Sequence, residues 1–187
     1  AKYRLPLHVR SSFDPVEGTR VVPQEFLESV VVSGVAADAN QVKFTLQNLP
    51  ERPGVAAKVL GALSAASIVV DVIVQDMPSN GCLTLSFTVG KTDALQARRV
   101  LEDLRQGAFA EVRIVEQADL AKVSIVGVGM QNHPGVASKM FALLGEAGIN
   151  ILLITTSEIK VSCMIDNAQM KNAVQVLHRG FELHRVS

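Results

Sequence analysis

The strongest constraint on the fold is that the chain repeats itself. Glu51-Arg52-Pro53-Gly54-Val55-Ala56-Ala57-Lys58 returns as Asn132-His133-Pro134-Gly135-Val136-Ala137-Ser138-Lys139, so that Pro134 follows Pro53 by 81 residues. The same offset pairs Val42 with Val123, Leu63 with Leu144, Ile68 with Ile149 and Ile73 with Ile154. A chain of 187 residues built this way holds two copies of one unit, each with a small core.

In both copies an alternating apolar run precedes the Pro-Gly and a run of helical period follows it. In the first copy Val42, Phe44 and Leu46 alternate as a half-buried strand, and 54–66 reads as helix. A second strand covers Ile68 to Gln75, Pro78-Ser79-Asn80-Gly81 turns the chain, and Leu83, Leu85, Phe87 and Val89 face one way in a third. Thr92 is placed to cap a helix that Gly107 stops, and Val112 to Val115 closes the unit as βαββαβ. The second copy runs from Val123 through a short Ser157-Glu158 connection to a strand containing Ile159, Val161, Cys163 and Ile165. A helix capped by Asn167 and ended by Gly180 follows, but no fourth strand. An orphan apolar run, Val30 to Ala36, lies before the first copy. It is expected to supply the missing strand, because a sheet left one strand short exposes unpaired backbone groups. The fold expected is therefore α+β: two antiparallel sheets with helices on one face, and the first unit (41–118) inserted into the second (25–40 plus 119–187). Residues 1–24 hold one strand-like run, too little to fold alone, and the start at Ala1 without a Met reads as a processing boundary rather than the natural start.

Charge and composition exclude several function classes. Lys plus Arg and Asp plus Glu balance at 18 each, which leaves no electrostatic footprint for nucleic acid or an anionic membrane. Aromatic residues make up only 4%, too few to stack bases. No run approaches the length of a membrane span and no leader opens the chain, so a cytoplasmic protein is expected. Cys82 and Cys163 sit alone in strand patterns, His8, His178 and His184 have no partner at ligand spacing, and no metal or organic cofactor is expected. Gly90-Lys91-Thr92 lacks the upstream glycine of a phosphate loop, and Gly127-Val128-Gly129 lacks the third glycine of a dinucleotide fingerprint.

The Pro-Gly turns carry the candidate chemistry, since each opens a helix whose first N–H groups point outward and favour an anion such as a carboxylate. Asp71 and Gln75 lie four apart in a strand otherwise made of Val and Ile, which places both on one face near the first turn. A carboxylate there suits an ammonium, and the pair of features describes an amino-acid site; a solvent-facing sheet surface accounts for them equally well. In the second copy Asn150 and then Thr155-Thr156-Ser157-Glu158 are polar where a core strand need not be. His133 either meets a ligand at the helix start or holds the turn.

These residues resemble the ACT domain, a ferredoxin-like module that binds amino acids and pairs in dimers. Glu51-Arg52-Pro53-Gly54-Val55-Ala56 with Val70-Asp71-Val72-Ile73-Val74-Gln75, then Gly127-Val128-Gly129-Met130, His133-Pro134-Gly135-Val136 and Thr156-Ser157-Glu158-Ile159-Lys160, is similar to the tandem ACT regulatory region of aspartate kinases. Pro6-Leu7-His8-Val9-Arg10-Ser11-Ser12-Phe13 resembles the end of the catalytic region in that family. The resemblance implies feedback control of a kinase by threonine, lysine or both, in a homodimer that partners a kinase catalytic domain or subunit, with no catalytic residues in this chain. It implies one effector site using Glu51, Gly54, Ala56, Ile68, Asp71 and Gln75, completed by Asn150 and Ile151 across an ACT–ACT interface. A second site is implied at Met130, His133, Gly135, Ser157 and Glu158. Regulation of another amino-acid biosynthetic enzyme by the same module is the alternative.

Overall fold

The structure, a computed structural model, describes residues 7–10, 19–21, 31–76 and 81–183. Strands β1 (Leu7–Val9) and β2 (Thr19–Val21) form an antiparallel hairpin. The rest is built on a six-stranded antiparallel sheet in the order β4-β5-β3-β6-β8-β7. Its strands are β3 (Gly34–Pro50), β4 (Val70–Gln75), β5 (Cys82–Val89), β6 (Arg113–Val126), β7 (Leu153–Ser157) and β8 (Lys160–Asp166). Helices α1 (Val55–Ala65), α2 (Ala94–Gly107), α3 (Val136–Glu146) and α4 (Met170–Gly180) connect them.

The two central strands serve both repeats. Gly34 to Asp38 of β3 pair with Val126 to Lys122 of β6, while Lys43 to Gln47 pair with Gln117 to Arg113. The orphan run therefore borders the second repeat as expected, although the strand begins at Gly34, and Val30 lies outside the described residues. The repeats do not have separate strands here: what the pattern shows as four segments is two long strands running through the junction. Val32 is buried in the second core, and both the N–H and the hydroxyl of Ser33 donate to Val126 O (2.7 and 3.0 Å), holding the approach to β3 against β6.

Irregularities at the junction keep the helices on one side. In β3 the core-facing residues are odd-numbered before the junction (Val35) and even-numbered after it (Val42, Phe44, Leu46). In β6 the switch runs the other way, from Ile114 to Ala121, Val123 and Ile125. The register slips between Asp38 and Gln41 and again between Gln41 and Lys43, one extra residue on each strand. Each extra residue offsets one change of parity, so both cores stay on the same face. The first core is covered by Val55, Val59 and Leu63 of α1 with Ala97 and Leu101 of α2, the second by Met140 and Leu144 of α3 with Ala173 and Leu177 of α4.

The helix-free face is not flat to solvent. Gln41, Ser86, Thr88, Ser124 and Ser162 are buried on it, and Val72, Leu120 and Met164 are buried outside both helical cores. Lys122 on β6 makes an ion pair with Asp71 on β4, three strands away in the sheet order. Three strand spacings in a flat sheet are about 14 Å, beyond the combined reach of a lysine and an aspartate. The sheet bends sharply enough for the helix-free faces of its two halves to meet.

Two predicted caps are displaced by a residue. The position before α2 is Asp93 rather than Thr92, with no side-chain cap, and the residue that caps the 3-10 turn Asn167–Gln169 leading into α4 is Asp166, whose carboxylate accepts from Ala168 N–H at 2.8 Å. The repeat itself is reproduced in detail. Gly54 and Gly135 share the left-handed conformation (φ 89° and 94°), and Lys58 and Lys139 lie over Phe109 and Phe181 at 5.6 and 5.0 Å.

Candidate functional site

The second Pro-Gly turn opens one wall of a cleft of about 530 Å³. Gly127 ends β6 with its backbone pressed against Val31, where a Cβ would stand 2.1 Å from the Val31 carbonyl oxygen, and its N–H donates to Ile159 O at 2.9 Å. From there a 3-10 turn, Val128–Asn132, carries the chain to His133. The ring Nδ1 of His133 lies 2.8 Å from Gly129 O; a carbonyl only accepts, so Nδ1 holds the proton. Gly135, in the left-handed region, turns the chain into α3, and the first helical bond runs from Lys139 N–H to Gly135 O at 2.8 Å. The N–H groups ahead of that bond form the helix N-terminus, with its partial positive charge.

All five residues expected at this site, Met130, His133, Gly135, Ser157 and Glu158, line the cleft together with Thr156, Val136, Ala137 and Val161. Met130 is buried in the second core and forms part of an apolar floor with Val161. Thr156, Ser157 and Glu158, at the β7–β8 turn, line the cleft as well. The helix N-terminus suits a carboxylate, the β7–β8 turn an ammonium or hydroxyl, and the floor suits a short aliphatic chain.

The residues expected at the first site are not gathered in the same way. Gly54 repeats the turn, Glu51 is exposed with its N–H bonded to Gly81 O at 2.9 Å, and Ala56 packs partly against the first core. Ile68 is buried in that core and Ile151 packs on the second, while Gln75 and Asn150 are exposed. The expectation that Asp71 and Gln75 share a face fails. Between Val70, opposite Val89, and Ile73, opposite Phe87, β4 holds an extra residue; Gln75 then lies opposite Leu85 on the helix side, and Asp71 turns to Lys122 on the other. The cleft that Asp71 lines contains Lys122, Thr155 and Ser162 rather than Asn150 or Ile151.

Sequence reasoning missed Lys122 and Lys160 as residues lining a cleft. The one trace of Lys122 is a charge between the buried residues Ala121 and Val123. Asp38 stands opposite Lys122 across β3 and β6; the Asn40 backbone N–H, the Gln41 amide and the nearby Lys122 ammonium hold its carboxyl below the usual range despite partial burial. Burial pushes the Cys163 thiol up to about 11. Among the described residues no cluster of three His, Cys, Asp or Glu is placed to hold a metal ion, and no helix is long and apolar enough to cross a membrane.

Comparison with known proteins places these features in context. An ACT domain family model matches residues 123–181. Aspartokinase from Pseudomonas aeruginosa is 42% identical over 97% of this chain, which spans 45% of that relative's length. The crystal structure of the regulatory subunit of aspartate kinase from Thermus thermophilus, in a ligand-free form, superposes with a TM-score of 0.74 at 38% identity, covering 81% of this chain and 99% of that one. That of E. coli aspartokinase III in complex with lysine and aspartate, described as a T-state, superposes with a TM-score of 0.70 at 27% identity, covering 94% of this chain and 39% of that one.

Proposed function

Because the chain belongs to the aspartate kinase family, as an ACT-type regulatory region, we propose that it senses an end-product amino acid, threonine or lysine or both, and mediates feedback inhibition of a kinase catalytic domain. The observation that carries this reading is the second Pro-Gly cleft, which is lined by the turn into α3, by Thr156, Ser157 and Glu158, and by the apolar Met130 and Val161. An amino acid's carboxylate fits the α3 N-terminus and its ammonium the Glu158 side. Lysine as one effector is consistent with the lysine bound in the E. coli relative. In this reading 41–118 and 25–40 with 119–187 are the two ACT units, and 1–24 leads from the catalytic region. Glu51, Gly54, Ala56 and Gln75 form the other site once a homodimer brings Asn150 and Ile151 of an ACT unit against them. The protein works in the cytoplasm.

The control is a population shift. An effector moves the equilibrium only by its differential affinity for two arrangements of the ACT units, and a hundredfold preference corresponds to about 2.8 kcal/mol. Calorimetric titration with threonine, then lysine, then each in the presence of the other tests the reading. Saturable binding weakened at least tenfold by Glu158→Gln is expected; absence of heat from both amino acids would sink it and direct attention to regulation of another enzyme.

A further inference from the structure

We propose that the cleft where the two halves of the sheet meet binds a phosphate group, free or carried by a nucleotide, between Lys122 and Lys160 and against a row of hydroxyls. The cleft has a volume of about 280 Å³, and the second half of the sheet lines it with the two lysines, Thr155, Thr156, Ser157 and Ser162. At about 30 Å³ per water that is the space of about nine waters, room for an oxyanion with part of its hydration.

The pairing register builds the site. Val123, Ile125, Val161 and Cys163 face the second core, so Lys122, Ser124, Lys160 and Ser162 stand on the helix-free face. Thr155, Ser162 and Ser124 are cross-strand neighbours on β7, β8 and β6 and form one row of hydroxyls. Lys122 lies two residues to one side of that row, opposite Met164, and Lys160 two residues to the other, opposite Ser157. In an ideal sheet their Cα atoms are about 14 Å apart, a gap that two lysine side chains leaning inward close onto one oxyanion. The row also has a donor to spare. Ser124 and Ser162 are 4% and 3% exposed and their hydroxyls bond each other at 2.7 Å, which uses one of the two protons and leaves the other for a further acceptor.

The hydroxyls are not a requirement of the repeat, since the counterparts of Thr155, Thr156 and Ser157 in the first copy are Val74, Gln75 and Asp76. Asp71 pairs with Lys122 and lines the same cleft, so the Lys122 ammonium is held at the site. Two lysines against one carboxylate leave the cleft net cationic. That carboxylate opposes an anion, whereas it attracts any ligand bearing an ammonium, and the sign of its effect separates the two.

Calorimetric titration of the chain with inorganic phosphate and, separately, with ADP in chloride buffer tests this. Saturable phosphate binding is expected, weakened at least fivefold by Lys160→Met and by Thr155→Val and tightened severalfold by Asp71→Asn. Lys160 is exposed and Thr155 half-buried, so both variants should keep the parent's circular dichroism. ADP binding more tightly than phosphate, with the same response to the variants, assigns the site to a nucleotide; phosphate binding at least as tightly assigns it to the free anion. Absence of saturable binding by both, isotherms unchanged in Lys160→Met and Thr155→Val, or binding weakened by Asp71→Asn would overturn the proposal.

Discussion

Substituting glycine by alanine at two positions of the repeat should shift stability in opposite directions. After α1 the chain leaves the helix through Ser67 (φ 59°), with Ser67 N–H bonded to Ser64 O at 2.9 Å and Ile68 N–H to Leu63 O at 3.0 Å. After α3 the same pattern recurs at Gly148 (φ 70°), with Gly148 N–H to Gly145 O at 2.9 Å and Ile149 N–H to Leu144 O at 2.9 Å. Both are left-handed helix ends in which the following isoleucine packs back on a core leucine. A Cβ at Gly148 meets nothing within 4 Å, so Gly148→Ala tests the backbone conformation alone. The left-handed region costs an L-residue roughly 1–2 kcal/mol, and the stiffer unfolded chain returns about 0.4–1, for a net loss of about 1 kcal/mol. Gly61, exposed in the middle of α1, also has open space at its Cβ but no positive φ. There Gly61→Ala should gain about 0.5–1 kcal/mol. In a chain of this length the two variants should differ in Tm by roughly 4–8 °C, read by thermal unfolding followed by circular dichroism. Ser67→Gly, which relieves the strained copy, should gain about 0.5 kcal/mol. A Gly148→Ala variant as stable as the parent, or one shifted in the same direction as Gly61→Ala, would refute the reasoning.

Other outcomes follow from space, capping and titration. Gly127→Ala forces a methyl group onto the Val31 carbonyl, where no side chain can yield, and should cost about 3 kcal/mol in urea unfolding. Asp166→Ala should cost about 1 kcal/mol by removing the bond to Ala168 N–H, with Asn167→Ala nearly neutral, as judged from denaturation midpoints. Cys163 stays a thiol in the folded protein up to about pH 11, while the unfolded chain ionises it near 9.0. The unfolded state then holds fewer protons, so stability should fall as pH rises from about 9 to 11, and a Cys163→Ala variant should lose that slope in pH-dependent unfolding. At pH 8 an alkylating reagent should label the partly exposed Cys82 and leave Cys163 intact until the protein unfolds, as mass spectrometry would show.

The repeat was the most legible part of the fold, because an 81-residue offset carries turn, helix and core leucines together, and even the orphan strand could be placed by counting strands against sheet edges. The second Pro-Gly cleft was legible for a similar reason: its walls are a local turn and a local strand end. What alternation cannot reveal is an added residue. The slip in β4 between Val70 and Ile73 sends Asp71 away from Gln75, and the compensating slips in β3 and β6 are specified by the pairing of strands distant in sequence. The ion pair of Asp71 with Lys122 spans 51 residues and depends on the bend of the whole sheet, so neither residue announces the other. The caps were misplaced by one position because Thr92-Asp93 and Asp166-Asn167 each offer two polar candidates, and only local geometry chooses between them.

The shared central strands also set an order of events during synthesis. The segment Gly34 to Asp38 leaves the ribosome before the whole first repeat, yet its partners, Lys122 to Val126, follow roughly 88 residues later. At about 5–20 residues per second that is a wait on the order of 4–18 s, during which the first repeat can close while one strand end dangles with its backbone unpaired. The start of β3 thus waits for β6, and β8 and β7, made later still, complete the sheet. A nascent chain stalled within the second repeat presents a bare edge beside an already folded neighbour, the kind of surface that chaperones bind and that a second nascent copy can capture.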